Sequence, residues 1–160
     1  MPNRNQVLTA VKAACQECHL EPAGSLLDKQ TTDGGVPCIS FAGALLEKVP
    51  GGAKAEAVQT GANDPGSGTP EETFFYVSIM GKPSDLNHAF CVYFVDHSAI
   101  VIQTWLNRTV SLLRWVPLST FIAAWGQLRG NHCAEAYGAL FGVEIGEFQK
   151  DTIWVARVAA

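Results

Sequence analysis

Leu86-Asn87-His88-Ala89-Phe90-Cys91-Val92-Tyr93-Phe94-Val95-Asp96-His97-Ser98-Ala99-Ile100-Val101-Ile102-Gln103-Thr104-Trp105 is the stretch on which the fold turns. Apolar runs from His88 to Val95 and from Ile100 to Trp105 flank a polar break at Asp96-His97-Ser98. Short runs rich in Val, Ile, Phe and Tyr around such a break read as two strands of a hairpin. A third candidate strand, Phe74 to Met80, precedes them and ends at the turn Gly81-Lys82-Pro83. Thr152 to Val158 supplies a fourth at the end of the chain.

Away from these strands the period changes. Val7, Leu8, Val11, Ala14, Cys15 and Cys18 recur at about 3.6 residues, which predicts a helix from about Asn5 to His19, stopped by Glu21-Pro22 and Gly24. Leu26 to Gly35, rich in Thr, Asp and Gly, reads as a loop. Cys38 to Val49 reads as a second helix between Pro37 and Pro50-Gly51-Gly52, with Ile39, Ala42, Leu45, Leu46 and Val49 as its buried face. Gly51 to Glu72 is rich in Gly, Pro, Ala and Thr and reads as a long flexible loop or lid. Ser119 to Leu128 and Cys133 to Phe141 are further helices. Helices and strands fall in separate runs, so the expected class is α+β, with the N-terminal helices packed on an antiparallel sheet.

Length and composition set the outer limits. The 160 residues suit a single domain over 1–160, and 48% hydrophobic against 16% charged residues is a globular balance. Eleven Lys and Arg against fifteen Asp and Glu leave a net charge of −4, which argues against nucleic acid or an anionic membrane as partner. No apolar run approaches the ~20 residues of a membrane span. The start, Met1-Pro2-Asn3-Arg4-Asn5-Gln6, lacks the pattern of a signal peptide. The expectation is a cytoplasmic protein, or one delivered into a target cell by a signal-independent route. Five cysteines, Cys15, Cys18, Cys38, Cys91 and Cys133, are too few and too uneven for a disulfide framework, which points to reduced thiols and to the question of a nucleophile.

Two segments answer that question. Gly34-Gly35-Val36-Pro37-Cys38-Ile39-Ser40-Phe41-Ala42-Gly43-Ala44-Leu45-Leu46-Glu47 places a cysteine in the first turn of an apolar helix. There the unpaired backbone N–H groups and the helix dipole favour a thiolate, the nucleophilic form. The hairpin then places a histidine at the mouth of one strand and an amide side chain on the returning strand. For His88 to face Gln103 the hairpin must fold about Val95 and Asp96, whereas the polar break centres near His97. A bulge reconciles the two.

In these residues the chain resembles the papain-like cysteine peptidase superfamily. The matching positions are Cys38 with Phe41, then Asn87-His88-Ala89, then Gln103-Thr104-Trp105. In style it is closest to the minimal papain-like domains of bacterial toxins and effectors. The Cys-Gly-Ser-Cys-Trp pattern of the lysosomal-type enzymes is absent, and Gln103 stands where Asn or Asp is usual. The resemblance implies Cys38 as nucleophile, His88 as general base and acid, and Gln103 as the group that orients the imidazole. It implies the backbone N–H of Cys38 as one oxyanion donor and offers Gln30 as a candidate for the other. Trp105 falls where such enzymes shield the histidine–amide hydrogen bond from water. The implied activity is cysteine-dependent hydrolysis of an amide, by a protein deamidase or protease, with a protein or peptide substrate and a cognate inhibitor or immunity protein as possible partners. No cofactor or metal is implied.

Competing readings are weaker. A non-enzymatic interaction protein on an α+β scaffold would leave Cys38 buried and unreactive, and a peptidoglycan amidase or endopeptidase is the alternative among enzymes. Asp96 and His97 read as turn residues, with a lesser role as replacements for Gln103 or His88. Cys91 reads as packing. Cys15-Gln16-Glu17-Cys18-His19 spells a haem-attachment pattern, and with His132 or Cys133 offers zinc ligands, but both cysteines fall on the apolar stripe of the first helix and no second paired motif exists. Gly61 to Gly68 lacks the Lys-Ser/Thr that follows a phosphate loop.

Overall fold

The structure, a computed structural model, describes residues 2–20, 30–31, 38–82, 87–105, 110–131, 135–142 and 147–158. Most of the expected loop from Leu26 to Gly35 lies outside these residues, as do His132 and Cys133.

Helix α1 spans Arg4–Glu17. Asn3 and Gln6 cap it reciprocally, each side chain accepting from the other's backbone N–H at 2.9 Å, which satisfies donors that the first turn leaves open. Val7, Ala10, Val11, Ala14 and Cys15 are buried. After the short strand β1, Gln30–Thr31, helix α2 runs over Cys38–Lys48. Its buried face is Phe41, Ala42, Ala44 and Leu45, continued by Val49, and this corrects the expected face. Ile39 is 61% exposed and Leu46 only partly buried, because the sheet lies under the side of the helix that carries Phe41 and Ala42. The helix stops where the chain doubles back so closely that a β-carbon at Gly52 would collide with the Leu46 carbonyl.

The stretch that composition marks as a loop, 51–72, carries a 3-10 turn at Gly52–Lys54 and strand β2 at Ala57–Val58. Asn63 donates to the carbonyls of Glu56 and Val155, and Asp64 accepts from Trp125 and Arg129, so the segment is tied to the sheet and to a helix.

Strands β3 (Phe74–Lys82), β4 (His88–Val95), β5 (Ser98–Ile102) and β7 (Leu113–Pro117) follow, with β6 (Val110–Ser111) pairing with β1 in a separate two-stranded sheet among the described residues. Helices α3 (Leu118–Asn131) and α4 (Glu135–Phe141) precede the last strand, β8 (Glu147–Arg157). The main sheet has six antiparallel strands in the order β2-β8-β3-β4-β5-β7. The class is therefore α+β.

Side-chain alternation along β4 splits the interior in two. Ala89, Cys91, Tyr93 and Val95 pack with α1 and α2, whereas Phe90, Val92 and Phe94 pack with α3 and α4. With both faces covered, the central strand is buried along its whole length. Among the described residues no helix is long and apolar enough to cross a membrane.

Candidate active site

β4 and β5 join through Asp96 and His97, both in the left-handed region at φ 54° and 57°. Val95 pairs with Ser98, so this is a two-residue turn whose twist matches that of the strands. Cys91 pairs with Ile102 across the same ladder, and continuing it sets Gln103 across from Phe90 and Trp105 across from His88. The expected bulge is therefore not needed. His88 and Gln103 share one face of the hairpin as diagonal neighbours, a separation that long side chains bridge.

They do bridge it. His88 Nε2 and Gln103 Oε1 lie 2.9 Å apart, with His88 2% exposed and Gln103 fully buried. Gln103 itself stands just past the end of β5, where its N–H donates to the Leu112 carbonyl at 3.1 Å and so continues the line of β5–β7 pairing. Its Nε2 donates to the Phe141 carbonyl, also at 2.9 Å. A carbonyl only accepts, so that contact fixes which end of the amide is nitrogen. The oxygen must then face His88, and an oxygen there requires the proton on His88 Nε2. Nδ1 is left as the basic nitrogen of the neutral ring, and it is buried.

Aromatic rings complete the setting. Trp105 stacks on the imidazole with centroids 3.8 Å apart and planes 11° apart. Phe90 lies nearly parallel at 5.6 Å, and Phe141 meets the ring edge-on at 5.0 Å. This wall keeps water from the histidine–glutamine bond and fixes the ring plane.

Cys38 is the first residue of α2, where backbone N–H groups have no partner within the helix. Its Sγ lies 3.8 Å from the carbonyl oxygen of Asn87, the residue before His88. Cys38 and His88 line one cavity of about 200 Å³ together with Ile39, Ser78, Ile79, Met80, Asn87 and Ala89. None of these lining residues is charged at neutral pH, except His88 when protonated. The structure thus brings Cys38, His88 and Gln103 to one end of the sheet. Gln30 pairs through its backbone with Ser111, and its side chain lies outside the described residues.

The other described thiols stand in different surroundings. Cys91 is fully buried with Sγ 3.6 Å from the Ala42 carbonyl, and burial pushes its pKa far up. Cys15 is in the core under α1, and Cys18 closes that helix with its pKa raised by burial first and then by Glu17. Asp96 and His97 form the turn at the far end of β4, where Asp96 pairs with Arg4 at 2.8 Å and the His97 N–H donates to Glu71 at 3.0 Å.

Sequence reasoning did not find Phe141. Its ring is an ordinary core aromatic in sequence, and a backbone carbonyl leaves no mark there. The one available signal was Gly142, because a helix ended by glycine presents open carbonyls in its last turn. No family model matches the chain, and no curated protein and no solved structure matches it.

Proposed function

We propose that the protein is a papain-like cysteine hydrolase that cleaves an amide by thiolate attack and acyl-enzyme hydrolysis. The observation that carries this reading is the Phe141–Gln103–His88 chain, which fixes the imidazole and assigns Nδ1 as its basic nitrogen, on a cavity shared with Cys38.

His88 Nδ1 takes the thiol proton, and Cys38 Sγ attacks the carbonyl carbon of the substrate amide. Gln103 Oε1 stabilises the imidazolium through Nε2–H, and the face of Trp105 stabilises it as a cation–π partner. The backbone N–H of Cys38 donates to the oxyanion. As the tetrahedral species collapses, the C–N bond breaks and the imidazolium gives its proton to the departing amine or ammonia. Water then attacks the thioester with His88 as base, the C–S bond breaks, and the product acid leaves with the thiol restored.

Within that chemistry we favour a toxin- or effector-style protein deamidase over a protease. A neutral cavity of about 200 Å³ suits an uncharged side-chain carboxamide and has little room for several peptide residues.

The test is the iodoacetamide labelling rate of each cysteine against pH, read by peptide mass mapping. Fast labelling of Cys38 at pH ~6, slowed by His88→Ala, is the expected result. Labelling of Cys38 only above pH ~8, or only after unfolding, would overturn the reading. Ammonia release from protein glutamine without new α-amino groups then marks a deamidase. New α-amino groups mark a protease, and soluble fragments from sacculi mark a cell-wall hydrolase.

A further inference from the structure

Arg114, on β7, does not line the Cys38 cavity, yet its guanidinium is turned inward under α4. Nη2 lies 3.4 Å from the carbonyl oxygen of Gly138 and 3.5 Å from that of Ala139. Nε is buried and has no hydrogen-bond partner among the described residues, and no carboxylate there pairs with this arginine. Its charge is therefore directed at the carbonyl end of a helix, where a cation is favoured.

That helix needs support. With seven residues, α4 is far shorter than a helix that holds itself in water. Gly142 closes it at φ 77°, with its N–H on the Gly138 carbonyl at 3.0 Å. A β-carbon on Gly142 would sit 3.0 Å from Arg114 Nη1, so arginine and glycine fit against each other at the same helix end. The next carbonyl to matter is that of Phe141, which holds Gln103 Nε2.

We propose that Arg114 is a positioning residue for the His88 imidazole, acting through the C-terminal turn of α4 and the Gln103 amide. Its catalytic meaning rests on the reading of His88 as the base, whereas the mechanical link does not. By clamping Gly138 and Ala139 it holds the Phe141 carbonyl at the point where Gln103 must donate. That in turn keeps the Gln103 oxygen on His88 Nε2–H.

The link is read directly by NMR, as the solvent-exchange rate of the His88 Nε2 proton. Arg114→Ala is expected to speed that exchange about tenfold, the effect of losing roughly one hydrogen bond's worth of local stability. Arg114→Lys, which keeps a cation but loses the guanidinium that fits against Gly142, falls between. In a Gln103→Ala background the arginine substitution adds nothing, because the two act in series. Arg129→Ala, which removes the ion pair between α3 and Asp64, leaves the exchange unchanged. The proposal is overturned if Arg114→Ala exchanges as slowly as the parent, or if Arg129→Ala speeds exchange equally. Where Arg114→Ala does not fold, Arg114→Lys decides by the same criterion. If Cys38 labelling proves independent of His88 while the exchange still follows Arg114, the hydrolase reading falls and the positioning link stands.

Discussion

Gln103 does with one amide what a carboxylate cannot. Its nitrogen donates to the Phe141 carbonyl while its oxygen faces His88, and both contacts are 2.9 Å. A glutamate there would set a lone pair against the carbonyl oxygen, so the position calls for an amide. Gln103→Ala is expected to slow Cys38 labelling at pH ~6 by about tenfold or more, by freeing the ring of its orienting partner. It also leaves the buried Phe141 carbonyl without its donor, at about 1–3 kcal/mol of stability. Gln103→Glu is expected to lose as much stability at neutral pH. Urea denaturation and labelling of both variants give the two numbers, and a Gln103→Ala protein with parental labelling would remove Gln103 from the site. At this scale the hairpin sequence pairs His88 with Gln103, through the polar break that spaces them. The carbonyl that fixes Gln103 was illegible, because a main-chain acceptor contributed by a distant helix has no side-chain pattern.

The hairpin shows what was legible among the elements and what was not. Apolar runs marked β3, β4, β5 and β8, and polar residues marked the turn, but not its type. Only the left-handed conformations of Asp96 and His97 tell that two residues, and no bulge, set the register. β7 leaves no such mark in the sequence, because Leu113–Pro117 is a short edge strand with an arginine in its interior and a proline at its end, so it lacks the alternation that marks a half-buried strand. The turn carries a prediction of its own. His97 sits at φ 57°, a conformation that glycine adopts without strain and a β-branched residue resists. His97→Val is expected to be less stable than His97→Gly by about 1–2 kcal/mol, and denaturant midpoints of the two variants measure the gap. Equal midpoints would mean that the turn rearranges. The His97 N–H bond to Glu71 survives both substitutions, so the comparison isolates the backbone.

Across the whole molecule, the candidate site is assembled from both layers. Cys38 belongs to the helix on one face of the sheet, whereas Phe141 belongs to the other face and Gln103 reaches it from the end of β5. The candidate site therefore depends on the α1–α2 layer staying docked, and that layer covers two groups whose protons the fold retains. Burial pushes the Cys91 thiol far up, and burial with the Glu72 carboxylate pushes Tyr93 up to about 12 from a usual 10.0. Tyr93 donates its hydroxyl to the Pro2 carbonyl at 2.8 Å, just ahead of α1. Both are acids with raised folded pKa values, so above the unfolded value the native state holds more protons than the unfolded chain. Stability is then full at neutral pH and falls as pH rises, first from about pH 9 as the unfolded Cys91 thiol begins to ionise. From pH 10 to 12 Tyr93 adds a loss on the order of 2 kcal/mol. Thermal midpoints by circular dichroism at pH 7, 9, 10 and 11 test this. Tyr93→Phe lacks the hydrogen bond and is expected to be about 1 kcal/mol less stable than the parent at pH 7. It also lacks the titration, so its midpoint declines less steeply above pH 10. If the parent and Tyr93→Phe decline in parallel across that range, Tyr93 is not what couples the α1–α2 layer to alkali.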